Sequence, residues 1–229
     1  MKKHSKMYVE ALGNVEKNKS YDVTEAIKVL KSLKTRKFDE SVDAVLKLNI
    51  DAKKTDMNVR GSFVLPNGTG KTKRVLVITK TKASEASEAE YCGAEDMLEK
   101  IEKENWFEFD TIVATPEMMP ALGKLGKVLG PKGLMPNPKT GTVTMDVKKA
   151  VEDIKKGRVE YRTDSYGNVA TIIGKVSFDE AKLVENMDAF VSLILKAKPS
   201  SVKGTYVKNI AVSSTMGPSV KIDTNSFDK

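Results

Sequence analysis

The sequence predicts a mixed fold, α+β and α/β in two domains: a discontinuous α+β domain formed by both termini, with a smaller parallel α/β domain inserted into it. Three observations carry this. Segments near the two ends alternate apolar and polar residues, as half-buried strands do, whereas those in the middle are short continuous apolar runs suited to strands covered on both faces. The middle strands also alternate with helical patterns, the mark of a parallel α/β unit. Finally, neither flank holds enough strands and core to stand alone, because small domains bury too little surface. The expected divisions are residues 1–66, 67–158 and 159–229. Chain crossings near Pro66–Gly68 and Lys156–Arg158 would then act as a paired hinge.

The elements follow in order. A helix is expected from about Tyr8 to Lys17 and a second from Val23 to Leu33, with Ala26, Ile27, Leu30 and Leu33 on one face. Asp22 can cap the second, with Glu25 three residues on completing a capping box. Val42, Ala44, Leu46, Leu48 and Ile50 alternate with mostly polar neighbours and read as a strand, with which Gly61–Leu65 could pair. In the middle, Val75–Ile78 and Thr111–Ala114 read as buried strands. Between them a helix is expected with Ala86, Ala89, Leu98 and Ile101 inward. A short strand near Thr142–Met145 and a helix over Asp146–Lys156 close the insert. Beyond Arg158 the segments RVEYRT and NVATIIGKV flank the turn Asp164-Ser165-Tyr166-Gly167. A long helix over Asp179–Ala197 follows, then two strands around Thr215-Met216-Gly217-Pro218.

The net charge of +8 and pI near 9.3 favour a polyanionic partner. The outer segments together carry +6 and the insert +2. Within the insert, ten acids and two lysines lie between Glu85 and Asp110, whereas no acid lies between Glu117 and Asp146. No apolar run approaches the length of a membrane span, and the basic N-terminus lacks the apolar stretch of a signal peptide. The single Cys92 rules out an internal disulfide and fits a reducing compartment.

Catalysis finds little support. His4 is the sole histidine, so no Ser-His-Asp or Cys-His set and no ordinary zinc site can form. Asn67-Gly68-Thr69-Gly70-Lys71-Thr72 has the look of a phosphate loop, but Leu65 stands where its first glycine belongs. A strand rather than a helix is also expected to follow it. A glycine-rich turn is the better reading, and a nucleotide-dependent enzyme using Lys71 is the rival. An interaction scaffold using the acidic helix is a third.

Two segments suit RNA. Thr35-Arg36-Lys37-Phe38-Asp39-Glu40-Ser41 sets an aromatic beside two cations, fit either to stack on an unpaired base or to anchor a core with its cations solvated. Ser213-Ser214-Thr215-Met216-Gly217-Pro218-Ser219 offers hydroxyls around a glycine; taken alone, it also reads as a plain strand–turn–strand link. Leu122–Val143, LGKLGKVLGPKGLMPNPKTGTV, reads as a stiff basic loop carrying Lys124, Lys127, Lys132 and Lys139. Its prolines make helix unlikely from Gly130 to Pro138.

That last run closely resembles the signature of the L-one family of large-subunit ribosomal proteins, and the KFDES and STMG segments extend the likeness over nearly the whole chain. The resemblance implies the same architecture, a sandwich-like α+β domain with a three-layer, Rossmann-like insert. It also implies a non-enzymatic, cytoplasmic protein of the large ribosomal subunit that needs no cofactor or metal. Such a protein binds large-subunit (23S) rRNA through its outer domain and forms the mobile stalk near the E site, with the inserted domain as the moving part, aiding release of deacylated tRNA. The same face would bind the mRNA of its own operon as a translational repressor, and the protein would be a monomer off the ribosome. Carried over residue by residue, the expected RNA contacts are Glu25, Lys37, Phe38, Ser41, Thr205, Asn209, Thr215, Met216 and Gly217. A carboxylate repels phosphate, so Glu25 would have to accept a proton from a base or a 2′-OH. The four loop lysines are expected to meet further rRNA or tRNA.

Overall fold

Alternation along one strand sets the architecture of the first sheet. The computed structural model describes residues 5–16, 19–33, 37–51, 54, 57–80 and 89–227. These divide into two units: Met1–Arg60 with Leu65–Gly70 and Val159–Lys229, and Gly61–Val64 with Lys71–Arg158.

In the first unit, β1 (Ser41–Leu48) buries every second residue. It lies between β7 (Asn168–Lys175) and β8 (Val207–Ser214), and β9 (Ser219–Ile222) adds to β8, giving an antiparallel sheet of order β7-β1-β8-β9. Val42, Ala44, Leu46 and Leu48 of β1 face the same way as Ile210 and Val212 of β8 and are wholly or almost wholly buried. Two helices supply the other half of that core. In α2 (Val23–Ser32), Val23, Ala26, Ile27 and Leu30 recur at helical spacing and are buried. In α7 (Glu180–Lys196), Leu183, Met187, Phe190, Val191 and Ile194 do the same. Each large side chain so covered contributes about 1.5–3 kcal/mol. Asp22 caps α2 by accepting from the Thr24 N–H, and Ser5 caps α1 (Lys6–Gly13) through the Tyr8 N–H. Ser41, Asp43, Val45 and Lys47 point to the opposite face of the sheet, half-buried and left uncovered by helices among the described residues.

Asn186 is a polar residue within the apolar stripe of α7. It is fully buried, accepts from the Asn67 N–H at 3.0 Å, and donates to the carbonyls of Gly68 (3.1 Å) and Ile173 (2.7 Å). The turn at Asn67-Gly68 is thus fixed by a side chain. Gly70 follows at φ +72°, and a Cβ there would lie 2.8 Å from Lys175 Cγ. No helix opens after it, since residues 71–74 run irregularly into a strand. The phosphate-loop geometry is therefore absent from this segment.

In the second unit, β3 (Val75–Ile78) is fully buried and pairs in parallel with β4 (Tyr91–Gly93) and β5 (Thr111–Ala114). Leu76, Ile78 and Ile112 pack with Leu98 and Ile101 of α3 (Glu95–Glu104), and with Leu122 and Leu129 of α4 (Met119–Lys124) and α5 (Gly126–Leu129). Val75, Val77 and Val113 pack the other way, against Val147, Ala150, Val151 and Ile154 of α6 (Val147–Lys155). Helices on both faces of a parallel sheet make this unit three-layered α/β.

Several expectations change. The first helix ends at Gly13 rather than near Lys17, a residue outside those described. The β2 strand (Arg60–Val64) pairs with β6 (Arg158–Arg162), because β7 and β8 already occupy both edges of β1. The segments β6 and β7 consequently lie in different sheets, joined by one bridge, Thr163–Val169. The helix expected across Ala89 is instead strand β4 followed by α3, and Ala86 lies outside the described residues. Near Thr142 there is a single bridge, Val143 to Ala114, rather than a strand. Finally, the front of the run Leu122–Val143 is helical, with α5 ending at Leu129. The prolines act only beyond that point, where no α-helix forms.

Candidate nucleic-acid interface

The candidate residues of the first unit gather at two ends of the uncovered sheet face. At one end, the β8–β9 connection is a four-residue turn, closed by the Gly217 N–H donating to the Ser214 carbonyl at 3.2 Å. The start of β1 clasps it. Thr215 N–H donates to the Ser41 carbonyl (3.0 Å), and Ser41 N–H donates to Thr215 Oγ1 (3.0 Å). Met216 N–H donates to Glu40 Oε2 at 3.1 Å. Glu40 is only 1% exposed, and its Oε1 is buried without a hydrogen-bond partner among the described residues. A buried carboxylate thus holds the turn from beneath, leaving Met216 46% exposed.

The opposite flank of the same segment is fastened by β7 and the residues after it. Lys175 Nζ donates to the Asp39 carbonyl and to Ser41 Oγ, both at 3.1 Å. The Asp39 carboxylate accepts from Ser177 N–H and Oγ–H, at 3.1 and 2.8 Å. Phe38 stands just outside this network at 51% exposure, so it is no core anchor, and Lys37 beside it is exposed. Ser41, Thr215, Met216 and Gly217 therefore form one cluster, with exposed Phe38 and Lys37 just before the segment that clasps it. A Cβ on Gly217 would fall 2.5 Å from Ser214 Oγ.

At the other end, Asn209 lies opposite Lys47 in the β1–β8 register, and Asn168 lies opposite Lys47 on the other side. Asn49 Nδ2 donates to the Thr205 carbonyl at 3.1 Å, which fastens the segment leading into β8. Thr205 and Asn209 are both exposed. Glu25 is not brought to either end: it projects from the exposed side of α2, the helix that covers the other face of the sheet.

The uncovered face offers Lys47, Lys175 and Lys221 against Asp43, with Ser213 and Ser219 between. Short hydroxyls, amides and lysines on a fixed sheet can meet ribose, base edges and phosphate, while exposed Phe38 and Met216 offer flat apolar surface. Lys47, Asn49, Glu40 and Lys175 escaped the sequence reading. Only strand register places Lys47 beside Asn209, and nothing local marks Glu40 as buried.

In the second unit, Lys124, Lys127, Lys132 and Lys139 are exposed but not equivalent. Lys132 Nζ sits 3.6 Å from the centroid of Phe107, a cation–π contact that holds the Gly130–Gly133 turn. Leu134 and Met135 pack on the core. Asn137 organises the next turn: its Oδ1 accepts from Lys139 N–H (2.9 Å), and its own N–H donates to Thr142 Oγ1 (2.8 Å). Arg158 braces the exit through Gly141 O and Ser62 Oγ. These contacts fix the turns of the loop, with Lys139 exposed on it and Lys124 and Lys127 exposed on α4 and α5 before it.

Among the described residues there is no cluster of His, Cys, Asp and Glu able to hold a metal, and no helix long and apolar enough to cross a membrane.

Comparison with known proteins decides the family. The model of the ribosomal protein L1p/L10e family matches residues 30–218. The chain belongs to this family. Relatives called large ribosomal subunit protein uL1 agree along nearly their whole length. That of Mycoplasma capricolum subsp. capricolum is 57% identical over 225 residues, covering 97% of this chain and 100% of the relative. The Mycoplasma mycoides subsp. mycoides SC protein is 57% identical over 224 residues, with 97% and 99% covered. The Mesoplasma florum protein is 55% identical over 227 residues, with 98% and 100% covered. The L1p/L10e match spans both clusters on the sheet face and the lysine loop of the second unit.

Proposed function

We propose that this chain, a structural protein of the large ribosomal subunit and not an enzyme, binds large-subunit rRNA through the uncovered face of its first unit. Its place is on the ribosome in the cytoplasm. The observation that carries the reading is the clasp of Ser41 and Glu40 on the Thr215–Gly217 turn. It fixes the hydroxyls and Met216 in one frame before RNA arrives, with exposed Phe38 two residues before Glu40. Recognition in this scheme is by shape, hydroxyl contacts and stacking, with lysines adding attraction that is independent of sequence.

The finer roles rest on the family resemblance. The second unit serves as the mobile part of a stalk near the E site, where Lys124, Lys127 and Lys139 meet rRNA or the departing deacylated tRNA. The same sheet face binds the leader of the protein's own operon mRNA and represses its translation, and the free protein is a monomer. Competition tests the shared face. Leader RNA should displace large-subunit rRNA from the protein, and a reporter carrying the leader should fall when the protein is in excess. A reporter indifferent to excess protein removes the repressor role. Failure of Phe38→Ala and Met216→Ala to weaken rRNA binding removes the proposed face.

A further inference from the structure

We propose that Tyr166 is a second stacking platform of the RNA face, at the far end of β1 from Phe38 and Met216; this rests on the rRNA-binding reading above. The turn Asp164-Ser165-Tyr166-Gly167 repeats the construction of Ser214-Thr215-Met216-Gly217. Each is closed by an N–H of its fourth residue, a glycine, donating to the carbonyl of its first, at 3.2 Å in both. Each presents a large side chain at its third position. Tyr166 is 76% exposed, more than Phe38 or Met216.

Each turn is also fastened to β1. Where Glu40 holds Met216 N–H, Lys47 Nζ donates to the Tyr166 carbonyl, and the Leu48 N–H donates to the Gly167 carbonyl at 2.8 Å. The turn is stiff within itself. Asp164 Oδ1 accepts from the N–H groups of Tyr166 (2.9 Å) and Asn168 (2.7 Å), and Oδ2 accepts from Asn168 Nδ2 (2.8 Å). Those bonds hold the Asp164 carboxyl below its ordinary range. Gly167 has φ +78°, and a Cβ there would press within 3.1 Å of Ile50 Cγ1. An exposed aromatic on so fixed a base loses little freedom when a base stacks on it.

Lys47 reaches this turn from the uncovered face, since Leu46 and Leu48 on either side of it are buried. Asn168, Lys47 and Asn209 form one row across three strands there. Between Ser41 and Lys47 the strand advances about 20 Å. The two aromatics therefore bracket a strip carrying lysines, serines and amides, and the occupant is an RNA that offers an unpaired base at each end.

The test uses the full chain and overlapping transcripts of 23S rRNA at fixed salt. Stacking of one base predicts a loss of about 5- to 100-fold for Tyr166→Ala on the transcript bound best by the wild type. Tyr166→Phe should keep the wild-type affinity, and the unfolding midpoint of both variants should stay put because the side chain is exposed. Tyr166→Ala binding within twofold of wild type overturns the platform while leaving the rRNA reading intact. Equal losses for Phe and Ala also overturn it, because the contact would then be through the hydroxyl. If the wild type prefers no transcript over an unrelated hairpin, the rRNA reading itself fails, and the platform with it.

Discussion

Ser41 and Thr215, 174 residues apart in sequence, hold each other by three hydrogen bonds: two of 3.0 Å, one from each backbone N–H, and one of 3.3 Å from the Thr215 hydroxyl to the Ser41 carbonyl. The acceptor for the Ser41 N–H is the Thr215 hydroxyl, so a side chain on the turn completes the edge of β1. Replacing Thr215 by Val keeps the shape and removes both that acceptor and the hydroxyl's own donation to the Ser41 carbonyl. We expect a stability loss of about 1 kcal/mol and an rRNA affinity loss of about tenfold or more. Denaturant titration and filter binding on the same preparations check both.

Gly217 tests how closely the turn is packed. A Cβ would meet Ser214 Oγ at 2.5 Å, and Ser214 is itself 8% exposed at the end of β8. Gly217→Val should therefore displace the turn and lower rRNA affinity more than Met216→Ala, with the far-ultraviolet circular dichroism unchanged. Equal or smaller loss for Gly217→Val would take the turn's backbone out of the recognition surface.

Asn186 satisfies three backbone groups at once. Asn186→Leu fits the apolar stripe of α7 but strands the Asn67 N–H and the carbonyls of Gly68 and Ile173. A destabilisation of about 3 kcal/mol is expected, because buried backbone groups without partners cost about 1–3 kcal/mol each. Urea unfolding, followed as a shift in midpoint at constant slope, reads it directly.

The Tyr206 hydroxyl is buried with no hydrogen-bond partner among the described residues. Burial, and secondarily the charge of Tyr161, push its pKa up to about 12. The folded state thus retains a proton that the unfolded chain releases near pH 10, so stability falls as pH rises from about 10 to 12. Tyr206→Phe should flatten that fall, and at neutral pH it should be neutral or slightly stabilising. Thermal unfolding of both proteins at pH 8 and pH 11 checks it; the same alkaline fall in the variant would assign the effect elsewhere.

Much of this fold was legible because local pattern and final burial coincide. Alternation from Val42 to Leu48, the helical stripe from Leu183 to Ile194 and the continuous run Val75–Ile78 each appear in the structure with the burial their spacing implies. Misreadings arose where the deciding partner is distant. Gly61–Leu65 carries nothing that says β1 is already flanked on both sides. Tyr91-Cys92-Gly93 is too short a strand to stand out beside the acids around it. Asn186 looks like a flaw in a helix stripe until the turn it clasps is known. In the candidate site, Phe38 and Thr215–Gly217 stand out in the sequence by residue type, whereas Lys47 and Tyr166 gain meaning only from register and turn geometry.

In the function proposed above, the first unit recognises a folded rRNA by shape rather than by charge alone. The measurement that bears most directly on it is binding of the full chain to a large-subunit rRNA stalk transcript and to an unrelated hairpin, across a salt series. Lys132→Ala serves as a control outside the proposed face. We expect a preference of about 10³ or more for the rRNA that persists as salt rises, and the same preference for Lys132→Ala. Equal affinities for the two RNAs, falling together with salt, would contradict it.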